Sequence, residues 1–331
     1  MNKLLDRGEY VIGVDIGATK ILALVLNRSF KVVGQCRKRI RTNKSSERAE
    51  DRVVKVIREA LANSKVGAVA GIGVGSPGPL DPDTGVIIDT PNLAWKNFPL
   101  GPMLAETFGV PTAVDNDVNM GTYGEWNLGQ IKKCQNVLGI FPGTGIGGGL
   151  IVDGKLYRGF TGAAGEVGHM TVEVGGPYCG CGKRGCLEAV ASRMAIAQQV
   201  AALAARGDAP YIFSRCGADL TKIRSGMLVR SIQDGDTMVE GVVRKAAYYV
   251  GIAVGNLVNV LSPEVVILGG GLVEAMTEIY LEEVKRAMKD HAMPFLRKRV
   301  RVLPAALGDN AVALGAGVLI VEKLKAGDSA S

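Results

Sequence analysis

Apolar residues along this chain come in short aliphatic runs broken by glycine-bearing or acidic turns. Residues 10–15 read as a buried strand, 16–20 as a turn around Gly17, 21–26 as a second strand and 31–40 as a third. Residues 47–63 change period: Val53, Val56, Ile57, Ala60 and Leu61 fall on one helical face. Residues 69–75 and 110–114 are further buried strands. The first runs into a rigid loop with Pro77, Gly78 and Pro79, and the second into Asp115-Asn116-Asp117-Val118-Asn119. That polar cluster opens a helix reaching about residue 129. Beyond it, the pattern predicts helices over 187–205, 238–261, 274–289 and 310–325, with strands at 264–268 and 300–303. Residues 206–236 look irregular and polar, as a flexible insertion would, and 326–331 as a disordered polar tail.

One pattern occurs twice. Val137-Leu138-Gly139-Ile140-Phe141-Pro142-Gly143-Thr144-Gly145 aligns with Val11-Ile12-Gly13-Val14-Asp15-Ile16-Gly17-Ala18-Thr19, each opening a strand–turn–strand followed by an aliphatic strand. The repeat predicts two halves of similar topology, each offering a glycine turn to phosphate. In the first turn Gly17 permits close backbone approach, Thr19 and Lys20 can donate to phosphate oxygens, and Asp15 can hold a hydrated magnesium ion. Coincidental glycine-rich hairpins are the plainer alternative.

Composition fits an α/β protein. At 331 residues there is room for two domains; hydrophobic residues make up 47%, aromatics only 5%, and there are 45 glycines. The net charge of +7 gathers in two basic runs, 37–41 and 297–301. Neither interleaves aromatic residues for base stacking, so solvated strand edges are expected rather than a nucleic-acid partner. The longest apolar segment, 246–261, is interrupted by Gly251, Gly255, Asn256 and Asn259, which argues against a membrane span. With no leader pattern in the first ten residues, the expected compartment is the cytoplasm.

The densest chemistry lies between Gly162 and Glu188. His169, Cys179, Cys181 and Cys186 have the spacing His-x9-Cys-x-Cys-x4-Cys, a closed set of the kind structural zinc prefers. A disulfide would leave one of the three thiols unpaired. Glu166 and Glu188 flank the ligands and suggest the wall of a polar-substrate pocket. Asn92, after Thr90-Pro91, is another candidate pocket edge, with both a donor and an acceptor. In 115–119, four of five residues are Asp or Asn where one would cap the helix, which points to a role for Asn116 and Asp117. Residues 264–268 feed Gly269-Gly270-Gly271, whose backbone could lie against an adenine ring or ribose.

These motifs resemble those of the ROK family of sugar kinases and repressors, within the actin-like ATPase superfamily. They are Asp15-Ile16-Gly17-Ala18-Thr19-Lys20, Gly73-Val74-Gly75-Ser76-Pro77-Gly78-Pro79, Asn116-Asp117-Val118-Asn119, the glycine run 143–149, Glu166-Val167-Gly168-His169, the cysteine segment 179–188 and Leu268-Gly269-Gly270-Gly271. They stand in family order over nearly the whole chain, closest to the pattern of bacterial glucokinases.

The resemblance implies two actin-like (ribonuclease-H-like) lobes with mixed sheets flanked by helices, nucleotide and sugar lying in the cleft between them. The smaller lobe would comprise 1–120 with 311–331, and the larger 121–310. It implies ATP-dependent phosphorylation of a hexose, glucose first, with Asp117 as base. Gly75, Asn92, Asn116, Asp117, Glu166, His169 and Glu188 would meet the sugar. Asp15, Gly17, Thr19, Lys20, Gly143, Thr144, Gly145, Gly269, Gly270 and Gly271 would meet ATP and its Mg2+. Zinc would be structural, with one His169 nitrogen on the metal and the other on the sugar. Other sugars (fructose, N-acetylmannosamine, N-acetylglucosamine, allose) and a polyphosphate donor stay open. A homo-oligomer, dimer or tetramer, is expected. The family's repressors carry a helix-turn-helix domain ahead of the first strand, where about ten residues stand here, and a non-catalytic sensor would be expected to lack Asp117. Two departures concern the pocket: the long 206–236 segment, and Thr171-Val172-Glu173-Val174-Gly175 where a proline-containing segment is common.

Overall fold

The computed structural model describes residues 10–17, 20–39, 48–90, 93–217 and 219–329. Thr19, Asn92 and residues 40–41 of the first basic run lie outside them. The chain packs as two compact units, one of Met1–Lys133, Leu156–Ala164 and Asp309–Ser331, the other of Cys134–Lys155 and Gly165–Gly308. The expected boundary at residue 120 falls inside a helix, and the first unit also reclaims Leu156–Ala164.

In the first unit, β1 (Tyr10–Ile16), β2 (Lys20–Asn27) and β3 (Val32–Arg39) form an antiparallel meander. Helix α1 (Ala49–Ser64) follows, then β4 (Ile72–Ser76). A small sheet of β5 (Leu80–Asp81), β6 (Val86–Thr90) and β7 (Trp95–Phe98) comes next, then α2 (Leu100–Phe108). Strand β8 (Thr112–Asn116) leads straight into α3 (Asp117–Leu128). The main sheet runs β3-β2-β1-β4-β8, with β4 parallel to both β1 and β8. Val53, Val56, Ile57 and Ala60 of α1 are buried in its core, as the helical periodicity requires. The small sheet is not legible in the pattern, because its strands are two to five residues long. A stack of Trp95 on Phe98, 4.9 Å between ring centres, helps hold that sheet.

In the second unit, β9 (Val137–Pro142), β10 (Ile146–Val152) and β11 (Lys155–Leu156) form the repeat of the meander. Then come α4 (Leu187–Ala191), α5 (Arg193–Arg206), α6 (Pro210–Cys216), α7 (Ser225–Gln233) and α8 (Thr237–Leu261). Strand β12 (Val265–Leu268), α9 (Gly271–Ala275), α10 (Thr277–His291), α11 (Pro294–Arg297) and β13 (Arg301–Pro304) complete it. Its sheet runs β11-β10-β9-β12-β13, with β12 parallel to β9 and β13. This is the strand order of the first sheet, so the sequence repeat is a repeat of topology. The chain is therefore mixed α/β, as expected.

Several expectations need correction. Residues 206–236 are largely helical rather than irregular: Pro210 starts α6, and Ile212, Ile223 and Leu228 are fully buried anchors spaced too widely to read as one amphipathic face. The helix expected over 187–205 breaks at Ser192, which has extended backbone and caps α5 by accepting from the Ala195 amide. The helix expected over 274–289 breaks at Met276. The closing helix α12 (Ala311–Ser329) continues through most of the expected polar tail. The basic runs are largely engaged within the protein. Arg37 pairs with Asp309 at 2.7 Å, Lys38 with Glu59, and Arg299 lies over the Phe295 ring at 4.4 Å. Among the described residues no helix is long and apolar enough to cross a membrane.

The first unit is held by backbone approach to α12. Gly13 and Gly73 are register partners on β1 and β4. A Cβ on either would lie 1.8 Å from a carbonyl oxygen of α12, that of Ala313 or Ala316 respectively. The same helix meets α3 as closely, since a Cβ on Gly315 would lie 1.9 Å from the Met120 carbonyl oxygen. Real Cβ atoms do not reach such distances, so a side chain at Gly73 must push helix and sheet apart. We expect Gly73→Ala to lower stability by about 1–3 kcal/mol or more. Gly241→Ala on α8, with open space at its Cβ, should be neutral or stabilising by up to about 1 kcal/mol. Denaturant unfolding of the two variants checks both.

Candidate functional site

The end of the first sheet sets a row of residues side by side. Asp15 on β1 is the register partner of Gly75 on β4, which in turn partners Asp115 on β8. Asp115 is buried, 1% exposed, and its carboxylate is fully used. One oxygen accepts from the Asn116 amide at 2.7 Å and from Asn119 Nδ2 at 3.1 Å; the other accepts from Arg158 Nε at 2.6 Å. It thereby fixes the backbone that carries Asn116 and Asp117. Asn116 caps α3, its Oδ1 accepting from the amides of Val118 and Asn119. The cap commits the oxygen and leaves Nδ2 as the group it can offer a ligand. Asp117 is the first residue of α3, where unpaired amides favour an anion. A Cβ at Gly75 would lie 3.4 Å from Asp117 Cα and 2.5 Å from Val312, so this glycine lets the start of α3 sit close to β4.

Around Asp15, charges alternate. Lys20 Nζ donates to Asp309 at 2.6 Å, and Arg37 pairs with the other Asp309 oxygen. Gly17 closes the turn, its amide donating to the Lys20 carbonyl at 2.9 Å. Asp309, Arg158 and Asp115 are bonded to expected site residues or to their supports in ways that motif reading missed. Lys20 and Asp309 are 289 positions apart, and no spacing rule links them. Burial is the main cause that pushes the Asp15 carboxyl up to about 7, with Asp117 and Asp309 adding to it and Lys20 and Arg37 opposing. A buried acid beside two others fits a divalent cation arriving with a nucleotide.

In the second unit the pieces converge on the start of β10. Gly168 lies flush on it, since a Cβ there would be 2.1 Å from the Ile146 carbonyl oxygen. This seats the single turn Val167–His169 and with it Glu166 and His169, whose Nε2 lies 3.8 Å from a Glu166 oxygen. The Leu187 amide donates to Met170 at 2.9 Å, tying α4 to the same place. Glu188, in the first turn of α4, accepts from the Ile146 amide at 3.0 Å. Its Oε2 stands 2.3 Å from where a Gly145 Cβ would be, so the expected phosphate turn and an expected sugar ligand share one contact, and a side chain at Gly145 would displace the Glu188 carboxylate. Gly143 closes the turn onto the Gly145 carbonyl at 2.8 Å. Arg193, also unforeseen, donates to Thr144 Oγ1 at 2.7 Å.

The four metal-ligand candidates do gather. Their ligand atoms lie within 4.8 Å of one another. His169 Nδ1 is 3.6 Å from Cys179 Sγ, and Cys181 Sγ is 3.7 Å from Cys186 Sγ. Zinc–sulfur bonds of about 2.3 Å give a tetrahedral edge of about 3.8 Å, so the set fits zinc. Burial, with its thiol neighbours adding, pushes the Cys186 thiol up to about 12. A bound cation would reverse that. Of the third glycine motif, Gly269 would strike the Phe141 ring if it carried a Cβ, and Gly270 has φ +83° beside the Pro142 carbonyl. Both are required by packing on the end of β9; Gly271 alone opens onto free space.

The raised Asp15 pKa has a definite sign. The folded value lies above the unfolded value of about 3.9, so the folded state holds a proton that the unfolded chain has lost. Its contribution is fully present below about pH 4 and is lost as pH rises toward 7. In nucleotide- and metal-free protein, urea midpoints should fall between pH 4.5 and 8, and Asp15→Asn should flatten that fall.

Residues 11–323 match the ROK family. The glucokinase of Halalkalibacterium halodurans is 35% identical over 324 residues, spanning 95% of this chain and 96% of its own. The xylose repressor of Caldicellulosiruptor bescii is 29% identical, over 95% of this chain and 78% of its own. Among solved structures, a ROK family glucokinase from Streptomyces griseus in complex with glucose and AMPPNP has a TM-score of 0.80 at 30% identity, covering 94% of this chain and 98% of that one. The ROK hexokinase of Thermus thermophilus gives 0.73 at 34% identity, covering 95% and 99%. Matched nearly end to end, this chain belongs to the ROK family and has the actin-like kinase fold of its structural neighbours.

Proposed function

We propose that this chain transfers the γ-phosphoryl group of ATP to a hexose, with glucose as the acceptor and Asp117 as the general base. The observation that carries the reading is the placement of Asp117 at the first position of α3, on a backbone pinned by the buried Asp115 carboxylate. The convergence of Glu166, His169 and Glu188 on the Gly143–Gly145 turn supports it. The kinase relatives favour catalysis; the repressor relatives make a non-catalytic sugar sensor the reading to exclude.

On this reading Asn116 Nδ2 and His169 Nε2 donate to sugar hydroxyls, while Glu166 and Glu188 accept. Asn92 and Gly75 complete the sugar site. As the acceptor hydroxyl attacks the γ-phosphorus, its proton passes to the Asp117 carboxylate. The bond from γ-phosphorus to the bridging oxygen breaks, and ADP leaves with that oxygen. Gly17, Thr19 and Lys20 are phosphate-binding residues on this reading, as are Gly143, Thr144 and Gly145. Asp309 orients Lys20, and Gly269, Gly270 and Gly271 face the adenosine. Magnesium, when bound with ATP near Asp15, neutralises charge on the phosphate oxygens. Zinc held by His169, Cys179, Cys181 and Cys186 would fix the His169 tautomer and lock the turn that carries Glu166.

A coupled ADP-release assay over a hexose panel, with ATP or polyphosphate as donor, tests the reading. Glucose with ATP should give the highest kcat/KM, and absence of sugar-dependent ADP release with every hexose overturns it. Asp117→Asn should lower kcat at least ~10²-fold with sugar affinity retained. Near-normal turnover would remove Asp117 from the role. The purified protein should hold one zinc per chain. Cys181→Ala should lose it, melt at lower temperature and lose on the order of 10²-fold in rate, sugar affinity suffering more than nucleotide affinity. Full activity in protein shown by metal analysis to be zinc-free would contradict this.

A further inference from the structure

The Gly143–Gly145 turn has chemically opposite neighbours on its two sides. Glu188 faces Gly145 and accepts from the Ile146 amide. Arg193 faces Thr144, with Nη2 donating to Oγ1 at 2.7 Å. The arginine is also tied to the turn through its backbone, its amide donating to the Gly143 carbonyl at 2.9 Å. Ser192 immediately before it caps α5, so the base of the side chain is held at two points. The guanidinium makes that one hydrogen bond among the described residues, and none of their carboxylates pairs with it. A guanidinium has five N–H donors, most of which are left over.

We propose that Arg193 binds the phosphate chain of the phosphoryl donor where it crosses the Gly143-Thr144 turn. The proposal rests on the kinase reading above and adds a residue outside the expected phosphate motifs. A planar, permanently charged donor fork suits paired phosphate oxygens, and its charge counters the charge spread over them during transfer. The surroundings already disfavour the bare cation. Partial burial and the like charge of Arg224 lower the Arg193 pKa, and an arriving anion relieves both. Glu188, by contrast, would repel phosphate and suits hydroxyl groups. The turn thus separates the two substrates by charge, hydroxyls toward Glu188 and phosphate toward Arg193.

The test is calorimetry of AMPPNP with Mg2+, and separately of glucose, on wild type, Arg193→Gln, Arg193→Lys and Thr144→Val, with steady-state kinetics alongside. Arg193→Gln should weaken AMPPNP binding about 10-fold or more and raise the KM for ATP similarly, leaving glucose affinity unchanged. Arg193→Lys should recover part of the loss, since it keeps charge without the fork. If Arg193 only buttressed Thr144, then Thr144→Val would lose as much, and Arg193→Gln would add nothing to it; that outcome overturns the proposal. Unchanged AMPPNP affinity in Arg193→Gln overturns it too. A wild-type protein that phosphorylates hexose normally while Arg193→Gln keeps its KM for ATP rejects the arginine alone. A wild type with neither AMPPNP binding nor kinase activity rejects the kinase reading and the proposal together.

Discussion

The contact on which the first unit depends is backbone against backbone: α12 on β1 and β4 through Gly13 and Gly73, and on α3 through Gly124 and Gly315. At these glycines no side chain stands between the elements, so their spacing there is set by main-chain van der Waals contact. That spacing decides where Asp117 sits, because α3 is wedged between α12 and the sheet end and begins at that residue. A close-packed interior transmits displacement. A methyl group at Gly73 or Gly75 would therefore be felt at Asp117, which neither glycine forms part of. The elements are joined far apart in sequence, since α12 closes the chain.

Charge is arranged around that frame with little slack. Asp115 has three donors and no exposure to speak of, which converts a costly buried anion into a fixed anchor for the backbone of Asn116 and Asp117. Asp15, one glycine away across the sheet, has burial and two like charges against it, answered by Lys20 and Arg37. One acid is satisfied by protein and serves position; the other is left strained and suits an added cation. Arg158, which satisfies the first, belongs to the short segment that leaves the second unit's sequence to pack in the first. The chain runs on directly from this segment into Glu166 and His169.

The second unit positions its candidate site residues with glycines and cysteines. Gly148, Gly165 and Gly168 bring the Val167–His169 turn onto β10 at main-chain distance, and the cysteine cluster holds the loop beyond it. Glu188 then reaches the Gly145 turn through the first turn of α4. Within this unit Glu188, an expected sugar residue, thus neighbours the expected phosphate turn at Gly145, its carboxylate standing where a side chain there would be.

Local order made much of this legible. Gly13 aligning with Gly139 announced the repeat, and the matched strand orders bear it out, because strand–turn–strand pairing is written within a few residues. The His-x9-Cys-x-Cys-x4-Cys spacing announced the cluster for the same reason, its members lying within eighteen positions. Asn116 was legible as a cap, but not that the cap commits its oxygen. The helices within 206–236 were hidden because three isolated buried anchors, Ile212, Ile223 and Leu228, make no periodic face. Arg158 on Asp115, Asp309 on Lys20 and Arg193 on Thr144 belong to tertiary structure alone. Ion pairs and single hydrogen bonds between distant positions leave no period and no spacing, and only the folded backbone decides which charges meet.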